Sequence, residues 1–224
     1  MNNVLLLNGS PRGKKSNSAS LGNYLLGLLK EVNVESKMLE TRNQINTEEK
    51  ITEMLEAIKV ADFVILFTPL YDDCQPYNVV KVQEIIFKQK MNLENKFFLP
   101  IINSGFGEPE QISEGTIPIY KRFASQVGFK WGGSLAIGGG EMLQGRYGKQ
   151  LHEVGNMAKN AIVELEKIVE SIKSEEEYPD TEKILIPGYF YKWPMKNLVT
   201  YINTRSWKKV AEKKGEKVDA RPFL

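Results

Sequence analysis

VLLLNGSPRGKKSNS, residues 4 to 18, is the stretch from which the rest of the chain can be read. Val4 to Leu7 is an unbroken apolar run, too short for a helix and stopped by Asn8-Gly9, which predicts a strand buried on both faces. A loop of Gly, Ser, Pro and Arg follows. Leu21, Leu25, Leu28 and Leu29 then recur at helical spacing, with Ser16, Asn17 and Ser18 available as caps. A strand that passes through a polar loop into a helix start is a geometry that binds anions. The first-turn N–H groups have no carbonyl of their own to bond, and the helix dipole favours negative charge there. Hydroxyls of Ser10, Ser16 and Ser18, with the Arg12 guanidinium, complete a phosphate cradle.

The spacing narrows the ligand. A Walker A loop needs four residues between its first Gly and the Gly-Lys pair, whereas only Ser10, Pro11 and Arg12 separate Gly9 from Gly13. The dinucleotide fingerprint fails as well, because Ser10-Pro11 stands where a second close-approach Gly is needed. A monophosphate fits better. The plainer alternative is an ordinary strand-to-helix loop with Pro11 and Gly13 as its turn formers.

Composition excludes several classes. With 224 residues, 42% hydrophobic and 26% charged, the chain is long enough to bury a substantial core and has the balance of an ordinary globular protein. No apolar run approaches the ~20 residues that span a bilayer, so no stable membrane insertion and a cytoplasmic location are expected. A lone Cys74 cannot form an intramolecular disulfide, and a lone His152 rules out a zinc site built on several imidazoles. Charge is uneven. Residues 192 to 224 carry nine Lys and Arg against three Asp and Glu, while residues 1 to 191 carry 21 against 25. A solvated helix face explains such a basic run more simply than nucleic acid does, so no nucleic-acid partner is expected.

Working outward, Val32 to Met38 alternates like an edge strand, residues 41 to 50 are turn-like, and Ile51, Met54, Leu55 and Ile58 mark an amphipathic helix. Asp62 to Phe67 predicts a second buried strand, ending at Thr68-Pro69. A helix is expected from about Tyr77, then a strand over Phe97 to Ile102 closed by Asn103-Ser104-Gly105, a helix stopping at Gly128, and a fifth strand over Phe129 to Ile137 closed by Gly138-Gly139-Gly140. Leu151, Val154, Ala158, Ile162, Leu165, Ile168, Val169 and Ile172 predict one long last helix. Strands alternating with helices imply an α/β, doubly wound, five-stranded parallel sheet in the order 2-1-3-4-5. Residues 1–173 form that domain and 174–224 a C-terminal helical extension. Ligands of such sheets lie outside the carboxyl ends of the strands, where residues 9 to 18, 68 to 77 and 103 to 109 converge.

At these loops the chain resembles the flavodoxin-like NAD(P)H-dependent FMN reductase family over roughly residues 3 to 172. Asn8-Gly9-Ser10-Pro11-Arg12 with Ser16-Asn17-Ser18 is similar to its phosphate loop, and Pro69-Leu70-Tyr71 with Pro76 to its second, ring-flanking loop; Ser104-Gly105-Phe106-Gly107 falls where a third flavin loop lies. The resemblance implies FMN as cofactor, NADH or NADPH as hydride donor, a small-molecule electron acceptor and a homodimer. It implies Ser10, Arg12, Ser16, Asn17 and Ser18 at the phosphate, and Pro69, Leu70, Tyr71, Asp72, Ser104, Gly105, Phe106 and Gly107 around the ring. A flat aromatic and exposed backbone donors beside a strand end are what a flavin ring requires.

Two functions compete on this reading. The first is an FMN-dependent oxidoreductase that takes hydride from NAD(P)H and reduces a quinone, flavin, nitro or azo compound. The cofactor carries that chemistry, so no catalytic side chain and no metal is expected. The second is a flavodoxin-like electron carrier, for which the usual strongly acidic docking surface is only weakly present. Residues 174 to 180 read as a linker. Tyr189, Phe190, Tyr191, Trp193, Met195, Leu198, Val199, Ile202 and Trp207 beyond it place more apolar area on a short segment than it can bury against itself, hence an arm across a dimer or an extra helix on its own core.

Overall fold

Asn3–Asn8 forms β1, with Val4 and Leu6 buried on one face and Leu5 and Leu7 on the other, as an apolar run in a covered parallel sheet must be. The computed structural model describes residues 2–105, 109–185 and 194–217. After β1 come α1 (Asn17–Glu31), β2 (Glu35–Glu40), the short α2 (Thr41–Gln44), α3 (Glu48–Val60), β3 (Phe63–Leu70), α4 (Tyr77–Gln89) and β4 (Phe97–Ser104). A π-helical turn over Gln111–Thr116 leads into α5 (Ile117–Val127), followed by β5 (Lys130–Trp131), β6 (Leu135–Gly138), α6 (Lys159–Ser174) and β7 (Thr181–Ile184). These elements lie within the first of two compact units, Met1–Leu185. The second, Ile186–Leu224, contains α7 (Met195–Lys213).

All strand pairings are parallel, in the order β2-β1-β3-β4-β6-β7, with β5 also on β4. Helices cover both faces. Leu5, Leu7, Val64 and Leu66 meet α3, α4 and α5, and Val4, Leu6, Ile65 and Phe67 meet α1 and α6. Burying each such side chain contributes about 1.5–3 kcal/mol, so the two covered faces supply most of what holds the layers together.

The fold is α/β and flavodoxin-like, but the sheet has seven strands and not the five of the expected 2-1-3-4-5 order. The fifth strand is broken. Gly132 and Gly133 interrupt it, Gly133 at φ +87°, where an added Cβ would lie 1.6 Å from the Tyr178 carbonyl oxygen. The long last helix is also shorter than its apolar stripe suggests. Gln144, Gly148 and Gly155 all have positive φ, so residues 139 to 158 run as separate 3₁₀ turns and the α-helix begins only at Lys159. The edge strand starts three residues later than expected, because Val32 caps α1 and Asn33 turns at φ +56°. Residues 41 to 50 hold a helical turn and, capped by Thr47, the start of α3.

The seventh strand is secured by two carboxylates, one buried and one at the surface. Glu164 on α6, almost fully buried, accepts hydrogen bonds from Tyr178 Oη at 2.7 Å, Lys167 Nζ at 3.0 Å and Lys183 Nζ at 3.1 Å. Asp180 accepts from Ser134 Oγ at 2.7 Å, Trp131 Nε1 at 3.0 Å and Lys121 Nζ at 2.5 Å. Residues 174 to 185 are thereby tied to the sheet. Tyr189, Phe190, Tyr191 and Trp193 lie outside the described residues. On α7, Leu198, Tyr201, Ile202, Trp207 and Val210 are exposed. No helix among the described residues is long and apolar enough to cross a membrane.

Burial pushes the Glu164 pKa up, but its three donors outweigh this and hold the carboxyl below its ordinary value of 4.5. A depressed folded-state pKa adds stability that is complete above the unfolded value and disappears as pH falls through the folded one. Glu164→Gln is expected to lower unfolding stability at pH 7 by about 1–3 kcal/mol, the worth of hydrogen bonds to a buried charged group. In urea titrations the difference from wild type should shrink as pH is taken below 4.5.

Candidate functional site

The turn between β1 and α1 is held from inside by one side chain. Asn8, fully buried, receives the Ser10 N–H on Oδ1 at 3.1 Å and donates from Nδ2 to the Gly13 carbonyl at 3.2 Å. Gly13 has φ +61° and lies under the Arg42 guanidinium, leaving no room for a side chain. Arg42 is committed to Glu40 at 2.9 Å and to the Pro11 carbonyl at 3.3 Å. Asn78 of α4 donates to the Gly9 carbonyl at 2.9 Å and to Thr41 Oγ1 at 2.6 Å, and Thr41 in turn donates to the Asn8 carbonyl at 3.1 Å. The loop is therefore rigid before any ligand is considered.

At its end Ser16 caps α1. Its Oγ accepts the Ala19 N–H at 3.1 Å and donates to the Gly13 carbonyl at 2.6 Å, so this hydroxyl is spent on local structure. Ser10 Oγ accepts from the Arg12 N–H at 3.3 Å, and Ser18 Oγ accepts from Asn103 Nδ2 at 3.1 Å, which leaves both hydroxyl protons available. The first-turn N–H groups of Asn17 and Ser18 have no carbonyl of their own helix to bond. The Arg12 guanidinium makes no ion pair among the described residues and is exposed, whereas Arg42 nearby is neutralised.

These groups line one side of a cavity of about 250 Å³ outside the carboxyl ends of β1, β3 and β4. Ser10, Arg12, Ser16, Asn17 and Ser18 share its wall with Pro69, Leu70, Tyr71 and Asp72, and with Gly105. Ten of the thirteen residues singled out in the sequence thus meet at one hollow. Ser104 is instead buried at the end of β4, paired in register with Leu70. Phe106 and Gly107 lie outside the described residues. The second loop is a tight turn in which Tyr71 and Cys74 exchange backbone hydrogen bonds of 3.1 and 3.0 Å, with Asp72 at φ +52°. That turn presents Tyr71, 43% exposed, at the rim, and Cys74 beside it is exposed. A larger hollow of about 410 Å³ lies between α1 and the His152 turn, away from the strand ends, and no group of three or more His, Cys, Asp or Glu able to hold a metal occurs among the described residues.

Two further residues of the wall, Asn103 and Glu141, are not singled out by the sequence reading. Asn103 Nδ2 bridges the Thr68 carbonyl at 3.1 Å and Ser18 Oγ, linking β3, β4 and α1. Its signal was its place at a strand end. Glu141 follows β6, on a segment whose Gly138-Gly139-Gly140 announced a strand end without indicating that the next residue turns back over the first loop.

The cavity offers unpaired donors and one unneutralised cation at one end, and a flat aromatic with backbone groups at the other, which suits a ligand with an anionic tail and a planar head. A family model described as NADPH-dependent FMN reductase matches residues 2–163. No curated protein sequence matches the chain. Among solved structures, an NAD(P)H:quinone oxidoreductase from Methanothermobacter marburgensis aligns at 15% identity and TM-score 0.53, covering 79% of this chain and 98% of its own. An azoreductase from Bacillus anthracis aligns at 15% and TM-score 0.53, covering 75% and 99%, and a flavodoxin from Streptococcus pneumoniae at 16% and 0.53, covering 77% and 98%. At these identities the likeness is one of fold.

Asn8 and Arg12 should separate under mutation. Asn8→Ala strands the buried Ser10 N–H and Gly13 carbonyl and is expected to cost about 1–3 kcal/mol in chemical denaturation. Arg12→Ala removes a side chain that bonds no described residue, and its unfolding stability should stay within about 0.5 kcal/mol of wild type.

Proposed function

The chain belongs to the NADPH-dependent FMN reductase family, and from that premise we propose that it is an FMN-dependent oxidoreductase that takes hydride from NAD(P)H and reduces a small acceptor of the quinone, flavin, nitro or azo type. The observation that carries this reading is the convergence of an unneutralised Arg12, the open first turn of α1 and the exposed Tyr71 on one cavity at the strand ends. The residues fit the cofactor. Arg12, the N–H groups of Asn17 and Ser18, and the hydroxyls of Ser10 and Ser18 would hold the phosphate through charge-assisted hydrogen bonds. Tyr71 would lie against the ring, while Pro69, Leu70 and Gly105 exclude water from its edge.

When bound, FMN accepts hydride from the nicotinamide and passes electrons to the acceptor, so the protein's own contribution is binding and orientation. Asn8, Asn78 and Asn103 serve that end indirectly, since they fix the three loops at distances a mobile loop would not keep. Assembly as a homodimer and a cytoplasmic location belong to the same proposal; the exposed Leu198, Ile202 and Trp207 of α7 support association.

Purified protein loaded with FMN should lose its visible flavin absorbance on anaerobic addition of NADPH and regain it when a quinone is added. A loaded protein whose colour NADPH leaves unchanged would be a carrier and not a reductase. Arg12→Ala is expected to weaken FMN binding by roughly ten- to a hundredfold, the worth of a hydrogen bond to a charged group, and to leave riboflavin, which has no phosphate, unaffected. Fluorescence titration of the apoprotein reads both.

A further inference from the structure

The wall that the first three loops leave open is closed by residues 140 to 145, and this segment is pinned at both ends. A Cβ on Gly140 would come to 3.0 Å from the Ser104 carbonyl and 3.2 Å from Asn103 Oδ1. A Cβ on Gly145 would come to 2.5 Å from the Ser16 carbonyl, and the Gly145 N–H donates to Asn17 Oδ1 at 2.8 Å. The segment therefore runs from the end of β4 to the start of α1, along the cavity. Glu141 lines the cavity there; its Cγ lies 3.7 Å from where a Gly105 Cβ would be. Its Oε2 takes Arg146 Nε at 3.1 Å, and Arg146 is in turn held by Tyr147, at 2.6 Å to its hydroxyl and 4.7 Å over its ring. Oε1 has no partner among the described residues.

A half-exposed ion pair such as this one contributes at most about 1 kcal/mol of stability, which gives little reason to set a second carboxylate in a wall that already carries Asp72 beside Arg12. A carboxylate only accepts hydrogen bonds, and beside a phosphate it is repelled. It serves a ligand there only at a donor away from the phosphate. On the reading that the cavity holds FMN, which this inference presupposes, that donor is a hydroxyl of the ribityl chain; the ring's imide N–H is the remaining candidate. We propose that Glu141 is a positioning residue for the flavin, accepting a hydrogen bond from the ribityl chain, with Arg146 holding the carboxylate in place from outside the cavity.

Three flavins separate the possibilities. Lumiflavin carries the ring and its imide N–H but no ribityl chain, riboflavin adds the chain, and FMN adds the phosphate. Apoprotein of wild type, Glu141→Ala and Glu141→Gln is titrated with each, followed by flavin fluorescence, and the denaturation midpoint of each variant is recorded. Glu141→Ala is expected to weaken FMN and riboflavin by the same factor, on the order of tenfold, with lumiflavin unchanged. Glu141→Gln, whose amide oxygen still accepts, should retain part of that affinity. An equal loss for lumiflavin would assign Glu141 to the ring or to loop structure and overturn the proposal, as would no loss for any of the three. Wild-type protein that binds none of them would remove the flavin reading itself, an outcome distinct from a flavin-binding protein indifferent to Glu141.

Discussion

A fully buried asparagine, Asn8, bridges the two ends of the loop that follows β1, and the rest of the site depends on it. Backbone groups taken out of water must find partners, and a loop folded down onto strand ends has few to offer itself. A carboxamide answers this well, since it both donates and accepts. Asn78 and Asn103 repeat the device at the next two strand ends, bonding the Gly9 and Thr68 carbonyls and the hydroxyls of Thr41 and Ser18. Three amides thus fix the relative positions of β1, β3, β4, α1 and α4 at the mouth. Once these bonds are made, the polar groups left over face the cavity: the protons of Ser10 and Ser18, the open first turn of α1, and Arg12.

The same accounting explains why Arg42 and Arg12, both near Pro11 and Gly13, have opposite roles. Arg42 is held by Glu40 and a backbone carbonyl, so its charge is used in holding the loop. Arg12 has no such partner among the described residues, and its desolvation cost is low because it remains exposed. An anion approaching the helix start meets a cation that gives up no existing bond to receive it. Preorganisation of the loop and availability of the charge come from different residues, Asn8 and Arg12.

At the far side of the sheet, close approach between backbones matters more than hydrogen bonding at the mouth. Gly133 allows the Tyr178 carbonyl to reach the interrupted fifth strand, and Glu164 and Asp180 gather donors from α5, β5, α6 and the β7 segment. With β7 in place the end of β6 is no longer an edge, and the segment after it is free to fold over the first loop instead of pairing. The cavity's fourth wall, with Glu141 in it, follows from that.

Much of this was legible in the sequence. Apolar runs of strand length between amphipathic helices imposed the parallel doubly wound sheet, because such strands have nowhere but a covered sheet to go; the strand-loop-helix at residues 4 to 18 marked the end of the sheet at which the cavity opens, because open N–H groups and hydroxyls gather there whatever the tertiary context. Local pattern failed where backbone conformation and not apolarity was decisive. The stripe from Leu151 to Ile172 keeps helical spacing across Gly155, but a positive φ there keeps the α-helix from starting before Lys159, and no periodicity records φ. Nor does a one-dimensional pattern show that residues 181 to 184 complete a sheet begun at residue 3, or that Glu141 turns back to Gly105 and Gly145 to Asn17. Those contacts join residues far apart in the chain, and they form only because the packed sheet brings β4, β6 and the start of α1 to the same edge.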